Sequence, residues 1–249
     1  MFENFKNNLG LLHPVSLKEL DSVALLNRID SKYTLTEEGL NNIIPFLVEN
    51  YNVLEIDEMR IFTYENNYFD TPNLLFFRDH HNGYTNRIKV RSRRYVESNL
   101  CFFEIKKKEK VTRTNKYRER LPAILSEIDA DRKEVVQSYI RKEITDIQLI
   151  LKNNFSRITL VNKKFTERVT IDMNLHFLDA NQHIKLNDIA IVEVKQSKTS
   201  AVSPITTYFK KNTIRQQSIS KYIYGVVALM PTVKKNNFLP IIKKINNLS

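Results

Sequence analysis

Glycine is scarce: the 249 residues contain four, Gly10, Gly39, Gly83 and Gly225, all far apart. Devices that cradle phosphate on backbone amides need closely spaced glycines, so a P-loop, a dinucleotide fingerprint and a kinase glycine loop are excluded. Any grip on phosphate must therefore come from side-chain cations. Cysteine is scarcer still. Cys101 stands alone, can form no intramolecular disulfide, and belongs to no Cys/His cluster with zinc spacing. The sequence thus suits a reducing compartment, with the cytoplasm as the expected location. Long apolar runs are missing as well, since a spanning helix needs about eighteen such residues. The longest candidate, Tyr222 to Met230, is suited instead to packing a helix on a core, and any membrane association would have to come through a partner protein. Met1 to Gly10 lacks the basic patch and apolar stretch of a secretory signal.

Positive charge is what the sequence has in excess. Lys and Arg number 39 against 28 Asp and Glu, a net charge of +11 that attracts polyanions: nucleic acid, anionic lipid, polyphosphates or nucleotides. With 42% hydrophobic residues the sequence can also bury a core. No repeat, low-complexity tract or linker divides it, so one domain over residues 1–249 is expected.

Ser16-Leu17-Lys18-Glu19 is a capping box ahead of Leu20, Val23, Ala24 and Leu26, which predicts a helix to about Asn27. A second helix is predicted after Thr36, with Glu37 and Glu38 at its positive end, a stripe of Leu40, Ile43, Ile44 and Leu47, and Pro45 kinking or shortening it. Val53 to Leu121 reads as extended, with turns at Asp70-Thr71-Pro72-Asn73 and Asn82-Gly83. Ser126 to Asn153 has helical periodicity, read as two helices. Phe155 to Leu160, Thr166 to Phe177 and Ile189 to Lys195 read as strands, and two helices follow Ser203-Pro204 and Ser218.

The strand residues carry the functional argument. In Arg87-Ile88-Lys89-Val90-Arg91-Ser92-Arg93 a two-residue period puts four cations on one face and Ile88, Val90 and Ser92 on the other. The same alternation recurs in Phe103-Glu104-Ile105-Lys106, Arg168-Val169-Thr170-Ile171-Asp172 and Ile191-Val192-Glu193-Val194-Lys195. Lys116, Arg118 and Arg120 form another cationic row, and Asp30, Lys32 and Thr34 alternate within Ile29 to Leu35. One such strand is explained by a half-solvated sheet. Several together place like charges side by side, which costs stability unless an anion or metal lies among them. A closed barrel with its polar face inward satisfies this pattern. Its interior is too narrow for duplex nucleic acid and suits a triphosphate or a threaded polyphosphate, so no nucleic-acid partner is expected. The aromatics are assigned mostly to the apolar face. Glu193 is the leading candidate to hold a divalent metal, while Glu104 and Asp172 are nearly as well read as structural partners of Lys and Arg.

These segments, with Arg28-Ile29-Asp30-Ser31-Lys32-Tyr33, Tyr68-Phe69-Asp70-Thr71 and Ser220-Lys221-Tyr222, resemble the VTC domain of polyphosphate polymerases, within the CYTH-like superfamily of triphosphate tunnel metalloenzymes. The resemblance implies an α+β fold: a closed antiparallel eight-stranded β-barrel, or tunnel, with a basic lumen flanked by helices. It implies that Lys32, Arg91, Arg93, Lys106, Arg157, Arg168 and Lys221 act on the phosphates, with Lys89, Lys116, Arg118 and Lys195 as further substrate contacts. It also implies Glu193 on Mn2+ or Mg2+, and transfer of the γ-phosphoryl of ATP to a growing polyphosphate chain. Phe155 departs from the family pattern, which has Tyr two residues before the arginine matching Arg157. The runner-up is a tripolyphosphatase or nucleoside triphosphatase of the same superfamily. A third reading, from another class, is a non-catalytic polyphosphate or nucleic-acid binder.

Overall fold

The computed structural model describes residues 1–21, 28–109, 113–197 and 202–248. The chain opens with helix α1 (Glu3–Asn7), a 3-10 turn (Asn8–Leu11), strand β1 (His13–Val15) and helix α2 (Leu17–Asp21). The capping box forms: Ser16 N donates to Glu19 Oε2 at 2.8 Å, and Glu19 N to Ser16 Oγ at 3.3 Å. The expected continuation of this helix through Val23, Ala24 and Leu26 lies outside the described residues. Strand β2 (Arg28–Thr36) leads into α3 (Glu37–Asn50), where Thr36 Oγ1 accepts from Gly39 N at 3.1 Å. Pro45 does not shorten α3 as expected. Its stripe of Leu40, Ile43, Ile44 and Leu47 is buried on the sheet, and that burial outweighs the hydrogen bond a proline removes.

After β3 (Tyr51–Leu54) and β4 (Phe62–Asp70), helix α4 (Leu75–His81) interrupts a stretch expected to be wholly extended. Asp70 starts it, accepting from the backbone N of Thr71, Phe76 and Phe77 at 2.7 to 2.8 Å. Strands β5 (Arg87–Tyr95), β6 (Leu100–Glu109) and β7 (Arg113–Leu121) follow, then α5 (Ala130–Ser138). The second of the two helices predicted within Ser126 to Asn153 is absent: that sequence begins β8 (Gln148–Asn162). Ile147 and Leu149 pack into one apolar cluster and Ile150 and Leu151 into another, so this segment is buried on both sides and its apolar run mimics a helical stripe. The remainder is β9 (Glu167–Leu178), β10 (His183–Leu186), β11 (Ile189–Ser197), α6 (Pro204–Lys211), α7 (Lys221–Leu229) and α8 (Leu239–Asn246). Ser220 caps α7, and neither α1 nor α8 was expected.

Eight strands run in the order β2-β11-β9-β8-β4-β5-β6-β7, each antiparallel to its neighbours, and β1, β3 and β10 attach at the side of this path. Among the described residues no pairing joins β2 to β7. The free edge of β2 is engaged instead by the segment before α7: Gln217 N donates to Lys32 O, and Gln217 Nε2 to Thr34 Oγ1, both at 2.8 Å. The path nevertheless curls far enough that Lys106 of β6 senses the charges of Glu193, Lys32 and Asp30 on β11 and β2.

On the convex face, Tyr33, Leu35, Ile158, Leu160, Val169, Ile171, Val192 and Val194 are buried beneath α1, α3 and α6. Ile88, Val90, Phe103 and Ile105 are buried with Phe76 of α4 and Val136 of α5. Helix α7 packs differently. Its Tyr222, Ile223 and Val226 cluster with Tyr68, Leu151, Phe155 and Ile191, so it lies across one end of the concave side. No helix among the described residues is long and apolar enough to cross a membrane.

Candidate functional site in the basic lumen

The pleat turns alternate side chains of each strand into the concavity, and cross-strand register decides which of them meet. Glu193 of β11 lies opposite Lys32 of β2 and is paired to it at 2.8 Å, and to Lys195 at 3.2 Å. Arg157 of β8 lies opposite Asp172 of β9, donating from Nε at 2.6 Å and from Nη2 at 2.8 Å, a bidentate fork. Lys221, in the first turn of α7, reaches the same carboxylate. Glu104 of β6 sits between β5 and β7 and accepts Arg91 Nε at 2.7 Å, with Lys116 Nζ at 2.7 Å and Arg118 Nε at 3.3 Å.

Each of the three carboxylates is thus shared by two or three cations. Glu104 and Asp172 are buried, at 2% and 1% exposure, and burial alone would raise their pKa. Arg91 and Arg93 outweigh it for Glu104, and Arg157 and Lys221 for Asp172, holding both carboxyls well below the usual range. Glu193 follows the same course, with Lys195 and Lys32 overcoming the burial.

The cations exceed these partners. Lys89 donates to Ser220 Oγ at 2.8 Å and Arg93 Nε to Asn66 Oδ1 at 2.7 Å. Among the described residues, none of Lys89, Arg93 and Lys106 has a carboxylate within ion-pair distance. Burial, and then Lys106 and Lys32, push Lys89 well below an ordinary lysine. Lys195 falls to about 8, through burial and the nearby Arg157 and Lys32 against the opposing pull of Glu193. Lys221 also falls to about 8, through burial and Arg157 against Asp172. Burial is the main cause of each of these shifts, and neighbouring cations add to it.

Three expected residues sit at the margin, one of them Lys116, which is 47% exposed though paired to Glu104. Arg168 is opposite Lys195 in register, but its Nη2 donates to Leu20 O of α2 at 2.6 Å, which draws it toward the rim. Arg118 is 38% exposed and stacks on Phe102, its guanidinium carbon 3.6 Å from the ring centroid.

Sequence reasoning assigned the aromatics mostly to the apolar face, where Tyr33, Tyr51, Phe69, Phe76, Phe103 and Phe209 do lie, but four others stand on the opposite side. Phe155, Tyr64, Tyr95 and Phe102 form a ladder on the lumen side of β8, β4, β5 and β6, with centroids 5.3, 4.8 and 5.8 Å apart in turn. The signal was available, because Tyr95 follows Arg93 by two residues and Phe102 and Phe155 precede Glu104 and Arg157 by two. Tyr64 stacks on Phe155 at an interplanar angle of 12°, and Arg157 lies 4.7 Å from the Tyr64 centroid.

The fold itself has known counterparts. A candidate adenylate cyclase from Bacillus halodurans is similar at 14% identity and a TM-score of 0.51, over 78% of this chain and 94% of that one. A candidate adenylyl cyclase from Hippeastrum, described as having a dominant triphosphatase activity, is similar at 12% identity and a TM-score of 0.50, over 81% and 96%. These likenesses are of fold alone. No curated protein matches the sequence. A family model, the VTC domain, matches residues 27–230, most of the chain and every strand of the lumen. The chain therefore belongs to the VTC domain family.

Proposed function

We propose that this chain is a polyphosphate polymerase, transferring the γ-phosphoryl group of ATP to the end of a polyphosphate chain held in the basic lumen, which encloses that chain as a tunnel. The observation that carries this reading is the state of the lumen carboxylates. Glu104, Asp172 and Glu193 are all ion-paired and held well below the usual carboxylate range, so none of them is a ready general base. Hydrolysis draws a proton from water. A terminal phosphate of polyphosphate is already an oxyanion: it forms a bond to Pγ, the bond from Pγ to the bridging oxygen breaks, and ADP leaves without any proton transfer. What the protein supplies is alignment and charge neutralisation, which together account for most of the catalysis of phosphoryl transfer. In this reading Lys32, Arg91, Arg93, Lys106, Arg157 and Lys221 hold donor and acceptor in line, with Lys89, Lys116, Arg118 and Lys195 along the path and Arg168 at its rim.

Among the described residues no group of three or more His, Cys, Asp or Glu could cage a metal. Glu193, one carboxylate beside Lys32 and Lys195, fits a divalent ion that arrives already bound to phosphate oxygens, as magnesium or manganese does. Such an ion would supply neutralisation of phosphate charge beside Glu193. The deciding assay incubates the protein with ATP and Mn2+ or Mg2+ and measures polymer, ADP and free phosphate separately. Polymer and ADP in step are expected. Free phosphate without polymer would make the chain a triphosphatase, and no product would make it a binder. Glu193→Gln is expected to abolish turnover while tripolyphosphate binding persists, and a variant that still turned over would remove the metal role.

A further inference from the structure

We propose that Phe102, Tyr95 and Arg118 form a stacking platform for the base of a nucleoside triphosphate at the mouth of the lumen away from helix α7. The proposal rests on reading the lumen as a phosphate site and adds where the rest of the nucleotide lies. Position comes first. Helix α7 covers one end of the lumen, where Lys89 bonds its cap at Ser220 and Tyr68 stacks on Tyr222 with centroids 5.3 Å apart. Tyr95 is six residues beyond Lys89 on β5, roughly 20 Å along a strand, so Tyr95 and Phe102 stand toward the other end, while Phe155 at the far side of the ladder meets α7. A triphosphate gripped between these ends must point its ribose and base out through the mouth away from α7.

The platform is also built rigidly. A 38% exposed arginine has little reason to keep one orientation, yet three contacts fix Arg118. Its guanidinium carbon is 3.6 Å from the Phe102 centroid, so the group lies against the ring face. Its Nη2 donates to Tyr95 Oη at 2.9 Å, and its Nε is 3.3 Å from Glu104 Oε1. Tyr95 is braced edge-on by Phe102 at 5.8 Å and by Tyr64 at 4.8 Å. A flat guanidinium on an aromatic ring offers its outer face to a base, in the manner of single-strand nucleic-acid sites. Glu104 also binds Arg91, so the platform is one carboxylate away from the phosphate-facing cations. Stacking without edge recognition makes selection depend on stacking strength, purines above pyrimidines.

The test is equilibrium binding of the full chain to ATP, UTP and inorganic tripolyphosphate at one salt concentration, read as affinity ratios so that any shared loss of phosphate binding cancels. Phe102→Leu and, separately, the exposed Arg118→Lys, which keeps the charge but not the plane, are each expected to lower ATP affinity relative to tripolyphosphate on the order of tenfold. The preference for ATP over UTP should shrink with it. Unchanged ratios in Arg118→Lys would overturn the platform while leaving the phosphate site standing. If the unaltered protein binds no tripolyphosphate, the phosphate reading falls and the platform falls with it. Both outcomes are read from binding alone, without turnover.

Discussion

At the scale of single residues, the lysines give the site a pH signature. Lys195 and Lys221 have pKa values lowered to about 8 in the free protein, and a polyanion restores the proton-bound form by supplying negative charge. Binding near pH 8 should therefore take up protons, visible as a calorimetric heat that changes with the ionisation enthalpy of the buffer. Affinity for tripolyphosphate should fall as pH rises from 7 to 9. The sign for folding is opposite. A lysine lowered on folding binds fewer protons in the native than in the unfolded state between about pH 8 and its ordinary value, so these two groups favour folding more as pH rises through that window. Affinity constant from pH 7 to 9 would mean the lysines do not face the ligand. Asp172 makes a second case. It is 1% exposed and ties Arg157 to Lys221, so Asp172→Asn leaves two largely but not fully buried cations without their partner and should cost roughly 3 kcal/mol in chemical denaturation. The alternation that places Arg91 inward and Val90 outward was legible in the sequence because it needs only the pleat. That Asp172 meets both Arg157 and Lys221 was not, because it needs the register of β8 on β9 and the docking of α7.

At the scale of elements, local signals were legible where they were chemically distinct and failed where burial overrides period. Ser16 with Glu19, Thr36 with Gly39, and Ser203 before Pro204 all cap helices as their side chains demand. The apolar residues at the start of β8 mimicked a helix because the strand is buried on both sides. Helix α7 was legible as apolar, but not as the element lying across one end of the lumen. Gly225 makes that docking possible: a Cβ there would stand 2.8 Å from Phe177 Cδ1 and 3.0 Å from Leu151 Cδ2, both buried. Gly225→Val should therefore push α7 off β8 and β9, costing roughly 2 kcal/mol by overpacking. Since α7 carries Lys221 into the lumen, tripolyphosphate affinity should weaken along with the denaturation midpoint. Unaltered affinity in a destabilised Gly225→Val protein would separate the helix's packing from any part in binding.

At the scale of the whole molecule, charge sets a relation between stability and ligand. A net charge of +11 repels itself in the compact state, and in this fold much of it is gathered on one concave face instead of being spread over the surface. A ligand that inserts several negative charges there should stabilise the native state more than its contact area suggests. By mass action, tripolyphosphate at a hundred times its dissociation constant should add about 2.7 kcal/mol. For a chain of this length that corresponds to a rise of roughly 5–10 °C in melting temperature. The rise should shrink as salt increases, since counterions compete for the same cations and the screening length falls to about 8 Å near physiological ionic strength. Orthophosphate at equal concentration should do much less, because it cannot span Lys32, Arg91 and Arg157 at once. Thermal melts in tripolyphosphate and orthophosphate across a salt series distinguish the two cases. Equal shifts from both anions would show that the cations act as separate surface charges, whereas a larger, salt-sensitive shift from tripolyphosphate alone requires that the facing strands act on one bound chain.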